Sequence, residues 1–190
     1  MGFLDALLGR RKPVPADLDA LFALPSAAVT LQAATGLRPT GVGAVCVKPA
    51  EDAAFTAAQE EVVGLLGLDQ PTEQVRDDFG YLWTTARTTA DRLADVVTAL
   101  HAANSTYERA GLGPALLCTV VGFAGTVDGQ ERRVALVYLF KRGTVYPFAP
   151  LPGDKRDTAL ELRIRAALDG ELRIEPELSR WFPVWGAPGL

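Results

Sequence analysis

Apolar and polar positions follow two different spacings along this chain, and the spacing predicts which segments are helices and which are strands. Residues 15–24 (P-A-D-L-D-A-L-F-A-L) place Leu18, Leu21 and Phe22 on one side, which predicts a short helix that begins near the proline. The next run, residues 26–34 (S-A-A-V-T-L-Q-A-A), alternates in a way that favours a strand. Its alanines leave a helix as the alternative.

The sequence pattern next predicts two further strand regions. Residues 41–48 (G-V-G-A-V-C-V-K) form the first of them, and the turn at residues 35–41 (T-G-L-R-P-T-G) would join it to the preceding run as a hairpin. Residues 74–87 form the second, which Asp77 and Asp78 interrupt as a bulge or a turn. The aromatic residues of this region share one face: Phe79, Tyr81 and Trp83.

Three strands are predicted in the second half of the chain. Residues 114–125 and 132–142 are strongly apolar, and the Asp128-Gly129 pair between them is a typical hairpin turn. A third strand follows at residues 144–150. These segments together predict an antiparallel meander.

Helical spacing marks three longer segments, residues 51–67, 88–110 and 154–169, although alternation within the last leaves a strand as its alternative. Gly67 and Gly111 are placed to end the first two helices. Segregated helices and hairpins are typical of an α+β domain, here an antiparallel sheet with helices packed on it. We expect a single domain over residues 15–190.

Residues 1–12 precede that domain as an N-terminal amphipathic helical arm, separated from it by Pro13 and Pro15. Four apolar residues at helical spacing and three cations form its candidate contact set: Phe3, Leu4, Leu7, Leu8, Arg10, Arg11 and Lys12. The cations follow the apolar run, whereas in a signal peptide they precede it, and a membrane span needs about 20 apolar residues. We therefore expect a soluble cytoplasmic protein. Its arm docks on its own domain or on a partner, or makes a weak contact with the membrane surface.

Charge is unevenly distributed in a chain whose net charge is -4. Residues 51–78 carry eight acidic residues and a single basic one. This stretch is a solvated surface, an internal docking surface or a partner-facing patch, and its candidate partner-binding residues are Glu60, Glu61, Asp77 and Asp78. The acidic balance argues against a nucleic-acid partner.

The chain offers no sequence pattern that identifies an enzyme. His101 is the only histidine, which excludes a site that needs two, and we expect a structural role for it. Cys46 and Cys118 lie in apolar runs without metal-ligand spacing, so buried free thiols are expected, and their distance from one another stays open. We predict no catalytic residue, metal or cofactor.

The stretches M-G-F-L-D-A-L-L-G-R, L-P-S-A-A-V-T-L-Q-A-A-T-G-L-R-P-T-G-V-G-A-V-C and W-F-P-V-W-G resemble an actinobacterial family, the PspA-associated protein PspAB. The resemblance extends over the whole chain and implies a cytoplasmic accessory of PspA, a coiled-coil protein of the phage-shock response to envelope stress. It assigns no catalytic residue. The pattern of elements is also similar to secretion-chaperone or YbjN-type domains.

We therefore expect a non-enzymatic interaction protein, peripheral at the inner face of the cell membrane. An alternative is a dimeric chaperone-like protein that binds protein clients through its sheet face. A third hypothesis is a small-molecule-binding regulator, which needs an apolar pocket with converging polar groups. The tail contains two tryptophans beside prolines, and we expect it to dock on the domain.

Overall fold

The computed structural model describes residues 17–190, so the predicted arm and its seven candidate residues lie outside the described residues. A 3-10 helix at Leu18–Ala23 leads directly into the first α-helix. The α-helices are α1 (Leu24–Thr35), α2 (Ala53–Leu66), α3 (Leu93–Arg109) and α4 (Thr158–Ala167). The main strands are β1 (Arg38–Val47), β2 (Gln74–Arg76), β3 (Leu82–Arg87), β4 (Leu116–Val127), β5 (Gln130–Leu139) and β6 (Thr144–Phe148).

The six strands form one sheet in the order β2-β3-β1-β4-β5-β6, with every neighbouring pair antiparallel. The meander predicted in the second half of the chain is confirmed as β4-β5-β6. Asp128 and Gly129 both have positive φ in the β4–β5 turn, as a two-residue hairpin of this type requires. The predicted α+β fold with an antiparallel sheet is thus confirmed.

All four helices pack on one side of the sheet, the helix face. Leu31 of α1, Val62 of α2, Leu100 of α3 and Ile164 of α4 are fully buried in one cluster there. Gly43 of β1 allows α3 to come close, because a Cβ at this position would lie 2.7 Å from Leu100 Cδ1. The Gly-x-Gly pattern of β1 is therefore explained by packing.

The strand predicted for residues 26–34 is wrong, because these residues belong to α1 and make no hairpin with β1. β1 pairs instead with β3 and β4. Leu24, Ala28 and Leu31 are buried at helical spacing, whereas Val29 is 71% exposed. The short alanine side chains allow close helix packing, and tertiary burial decides between the two patterns.

The segment Leu18–Thr35 is, by length and composition alone, apolar and long enough to cross a membrane. Here its apolar side is directed into the protein: Leu21, Leu24 and Leu31 are at most 1% exposed. These side chains form part of the helix-face core.

The other predicted helices are confirmed with small changes at their ends. Asp52 caps α2 by accepting a hydrogen bond of 2.7 Å from the Phe55 amide. The segment 154–169 is helical as α4, and Asp157 caps it through the Leu160 amide. The predicted interruption at Asp77 and Asp78 is a turn that joins β2 to β3.

The C-terminal tail, residues 175–190, covers part of the opposite side of the sheet, the tail face. Trp181 is 5% exposed and packs there with Tyr146, with ring centroids 5.9 Å apart. Gly122 of β4 allows the tail to approach, because a Cβ there would lie 2.8 Å from the Gly189 carbonyl oxygen. The predicted docking of the tail on the domain is confirmed.

Candidate interaction groove

A groove of about 550 Å³ opens on the tail face, between the β2–β3 turn and the C-terminal tail. Its walls are mainly apolar and aromatic, and cations stand at its rim. The residues that line it are Cys46, Asp77, Phe79, Tyr81, Trp83, Leu117, Cys118, Leu139, Lys141, Arg142, Tyr146, Arg180, Phe182, Pro183, Val184 and Trp185. The tail therefore covers this face of the sheet incompletely.

Two large apolar side chains that line this groove are strongly exposed to solvent. Phe79 of the β2–β3 turn is 80% exposed, and Phe182 of the tail is 59% exposed. Phe79 stacks on Tyr81 with ring centroids 6.4 Å apart, which extends the aromatic surface toward Trp83. Clustered exposed aromatic residues are typical of protein interaction sites.

The Asp77 carboxylate holds the turn that presents Phe79. Its Oδ1 accepts hydrogen bonds from the Phe79 amide at 3.0 Å and from the Tyr81 amide at 2.9 Å. Its Oδ2 accepts from the Trp83 indole nitrogen at 3.0 Å. Asp77 thus organises one wall of the groove, and its neighbour Asp78 is exposed beside it.

Glu175, which is fully buried, fixes the tail at the other wall. Its Oε2 accepts hydrogen bonds from Arg142 Nε at 2.5 Å and from Thr144 Oγ1 at 2.7 Å. Burial acts to raise the pKa of Glu175, but these hydrogen bonds and one from the Glu177 amide outweigh it, so the pKa is lowered. The Glu175 carbonyl also accepts a hydrogen bond from the Trp181 indole nitrogen at 3.0 Å.

A second buried carboxylate, which belongs to α4, holds the tail in place. Glu161 is 1% exposed and accepts a hydrogen bond from Arg156 Nε, and burial raises its pKa. The Arg156 guanidinium lies 5.2 Å from the Phe148 ring centroid and donates to the Trp181 carbonyl at 2.6 Å. These contacts fix the backbone of the tail next to the groove.

The charged residues of the groove are mainly positive in a protein of net charge -4. Lys141, Arg142 and Arg180 line it, against Asp77 as the only acidic residue among the lining residues. Part of this positive charge is neutralised by Glu175, which lies 2.5 Å from Arg142 and 4.0 Å from Arg180. Lys141 is exposed and lies two residues before Gly143, in the β5–β6 turn.

The acidic stretch of residues 51–78 is not one uniform patch. Arginines of β3, of the 3-10 turn before α3 and of α3 itself neutralise part of it through three ion pairs: Glu73–Arg87, Asp69–Arg92 and Glu61–Arg109. Glu60 is exposed on α2, which belongs to the helix layer, whereas Asp77 lines the groove on the other side and Asp78 is exposed next to it in the β2–β3 turn. The structure therefore separates the four acidic candidates into two locations.

The lone histidine has a structural environment. His101 Nε2 lies 3.2 Å from Asp19 Oδ1, and its ring contacts Phe22 with centroids 4.6 Å apart. Both partners belong to the 3-10 helix that precedes α1. His101 thus connects α3 to this segment on the helix face.

The two cysteines meet across the centre of the sheet. Cys46 of β1 is paired in register with Cys118 of β4, and both side chains are buried free thiols on the tail face. The neighbouring Cys118 thiol, and then burial, raise the pKa of Cys46 far above its usual range. Both residues line the groove.

Two polar side chains of the groove, Tyr146 and Asp77, are already engaged in hydrogen bonds within the protein. Tyr146 donates its hydroxyl hydrogen to the Phe182 carbonyl at 2.8 Å, and the Asp77 carboxylate is engaged in the turn. Within residues 17–190 no cluster of three or more His, Cys, Asp or Glu could hold a metal ion. The volume does fall in the range of small-molecule pockets, about 300–1,000 Å³.

Sequence reasoning identified one wall of this site, through the shared face of Phe79, Tyr81 and Trp83. It missed the rim cations Lys141 and Arg180, which are ordinary surface residues in the sequence. Only the return of the tail across the sheet brings them to the same opening.

The fold and the groove define a small α+β protein whose candidate site is a mainly apolar groove. The chain belongs to the PspAB family: the sequence model of that family, described as PspA associated protein B, matches residues 1–189. The resemblance drawn from the sequence is thereby confirmed. No curated protein and no solved structure matches the chain.

Proposed function

We propose that this protein is a non-enzymatic accessory of a PspA-type membrane-stress system and that it binds its partner through the groove. Membership of the PspA associated family supports the choice of partner. The observation that carries the choice of site is the pair of exposed aromatic residues, Phe79 of the β2–β3 turn and Phe182 of the tail, which both line the groove.

The groove suits an amphipathic helix with acidic residues beside its apolar stripe. Apolar side chains at helical spacing would contact the aromatic walls, as in other complexes in which a helix lies in a groove. Acidic residues of the partner would meet Lys141 and Arg180 at the rim, which guides association and fixes orientation. In this proposal the PspA-like coiled coil supplies the helix that enters the groove.

Two further contacts complete the proposal. The N-terminal arm, residues 1–12, adds a weak and reversible contact with the cytoplasmic face of the membrane, where each cation contributes about 1 kcal/mol at best. Glu60 and Glu61 of α2 form a secondary acidic contact on the helix layer for basic segments of the partner.

A chaperone-like dimer is the second candidate function, and the fold restricts where it could bind a client. Helices cover one face of the sheet, and the tail covers part of the other. A client would therefore have to use the same groove. A dimer in solution, together with binding of unrelated unfolded proteins, would favour this function over a dedicated partner.

A binding titration with the purified PspA-like protein from the same genome tests the proposal. Phe79→Ser removes an exposed aromatic residue from the groove, and Val29→Ser removes a comparably exposed apolar residue from α1. We expect Phe79→Ser to weaken binding at least about tenfold, the effect of a buried aromatic anchor, and Val29→Ser to leave it unchanged. Equal binding by both variants and the wild type would refute the assignment of the groove.

A further inference from the structure

The two cysteines of this chain are placed for a chemistry that is separate from partner binding. Cys46 and Cys118 are direct neighbours in the β1–β4 register. Facing residues in an antiparallel pair have Cα atoms about 4.5–5.5 Å apart, and disulfides span Cα separations of about 4.4–6.8 Å. The backbone thus already holds the two residues at a separation that a disulfide accepts.

The orientation of the side chains agrees with this separation. Both thiols belong to the tail-face cluster, so they lie on the same side of the sheet. The register shifts directly after Cys46, between Cys46 and Val47, so the pairing is locally irregular next to the two thiols. The full sequence contains no other cysteine.

The groove gives small molecules a route to the pair. Cys46 and Cys118 are 2% and 7% exposed, yet both line the opening between the β2–β3 turn and the tail. Their neighbours Leu117 and Leu139 keep this part of the wall apolar. An uncharged oxidant of the size of hydrogen peroxide can therefore reach the sulfur atoms without unfolding.

We propose that Cys46 and Cys118 are a two-electron oxidation site, which a small hydroperoxide converts to a reversible disulfide in the wall of the groove. The more exposed thiol, Cys118, reacts first: its sulfur attacks the peroxide, which leaves a sulfenic acid and an alcohol or water. The Cys46 sulfur then attacks Cys118, forms the S–S bond and releases water. A dithiol reductant reverses the reaction by thiol–disulfide exchange.

Each step balances. The two thiols lose two protons and two electrons, and the hydroperoxide is reduced to an alcohol, or to water for hydrogen peroxide, with one further water formed. In the reduced protein the neighbouring Cys118 thiol and burial raise the pKa of Cys46, which keeps this thiol protonated at neutral pH.

Mass spectrometry of the purified full chain tests the proposal. The protein is incubated with hydrogen peroxide, alkylated under denaturing conditions and digested. We expect the treated chain to lose two hydrogens, to lose both alkylation sites, and to yield one linked peptide that contains Cys46 and Cys118. Dithiothreitol should restore both alkylation sites.

The single variants Cys118→Ser and Cys46→Ser provide the matched controls. We expect neither to lose two hydrogens, and only Cys46→Ser should accumulate a sulfenic acid that reacts with dimedone. The wild-type peptide map decides the question even if a variant does not fold. Two alkylatable thiols after treatment, a linkage only between chains, or oxidation to sulfinic acid without a linked peptide would each overturn the proposal.

Discussion

The Asp77 carboxylate accepts a hydrogen bond of 3.0 Å from the Trp83 indole nitrogen while it also caps the turn that lies between the two residues. This bond joins the turn that presents Phe79 to the buried sheet. The exposed wall of the groove is therefore held by a residue of the core, and its position does not depend on a partner.

Asp77→Asn should weaken this wall. The Asn side chain keeps one oxygen acceptor, but its NH2 group would face either the turn amides or the Trp83 indole N–H. Two hydrogen-bond donors would then point at each other. We expect the free energy of unfolding to fall by about 1–2 kcal/mol, in line with the loss of a charged hydrogen bond. Denaturant unfolding measures the change, and Asp78→Asn, at the exposed neighbouring position, should change it by less than about 0.5 kcal/mol.

Glu175→Gln should loosen the tail. The substitution leaves Arg142 and Thr144 without their shared carboxylate oxygen. Because the Arg142 side chain is 39% exposed, water replaces part of the lost contact, and we expect a cost of about 2 kcal/mol. Limited proteolysis should cut the variant sooner than the wild type between residues 176 and 190. Equal cleavage rates would show that Glu175 does not anchor the tail.

Glu175 should also give the protein an acid-sensitive contribution to stability. Its pKa is lowered in the folded protein from an ordinary value of 4.5, so the unfolded chain binds its proton first as the pH falls. The contribution is therefore fully present above pH 4.5 and is lost as the pH falls through the folded value.

Unfolding measured from pH 7 to pH 3 should show a smaller loss of stability in Glu175→Gln than in the wild type. Glu161 acts in the opposite direction, because its pKa is raised by burial and its protonation favours the folded state. Parallel pH profiles for the wild type and Glu175→Gln would contradict this role.

Gly43 on the helix face should be a position where adding a side chain destabilises the fold. In Gly43→Ala the added Cβ would lie 2.7 Å from Leu100 Cδ1 and 2.8 Å from Val96 Cγ1, so these two side chains or α3 itself must move away from the sheet. We expect a loss of about 1–3 kcal/mol. Gly64→Ala on α2 is the matched control, because its Cβ would meet nothing within 4 Å. Helix propensity should make that variant up to about 1 kcal/mol more stable.

Most of the elements could be predicted from local patterns, because signals such as Asp128-Gly129 and the stripe of α3 agree with the tertiary structure. The segment 26–34 could not be predicted from its local pattern, because its alanines and small polar residues fit a helix and a strand equally well. Its burial against α3 and α4 decides the outcome. Where local signals are ambiguous, long-range packing determines the element.

For a related reason, only part of the candidate site could be predicted from the sequence. The shared face of Phe79 and Trp83 follows from strand alternation. The pairing of Cys46 with Cys118 depends on the strand order, and the contribution of Phe182 depends on how the tail returns over the sheet. No local spacing encodes contacts between segments that lie about a hundred residues apart in the chain.

Hydrogen–deuterium exchange on the complex with the PspA-like partner tests the central claim most directly. Binding at the groove should protect the amides of residues 76–83 and 178–185 strongly, and those of α2 near Glu60, the secondary contact, more weakly. Protection confined to α2 or to residues 1–12, with the groove exchanging as in the free protein, would contradict the assignment of the groove as the partner site.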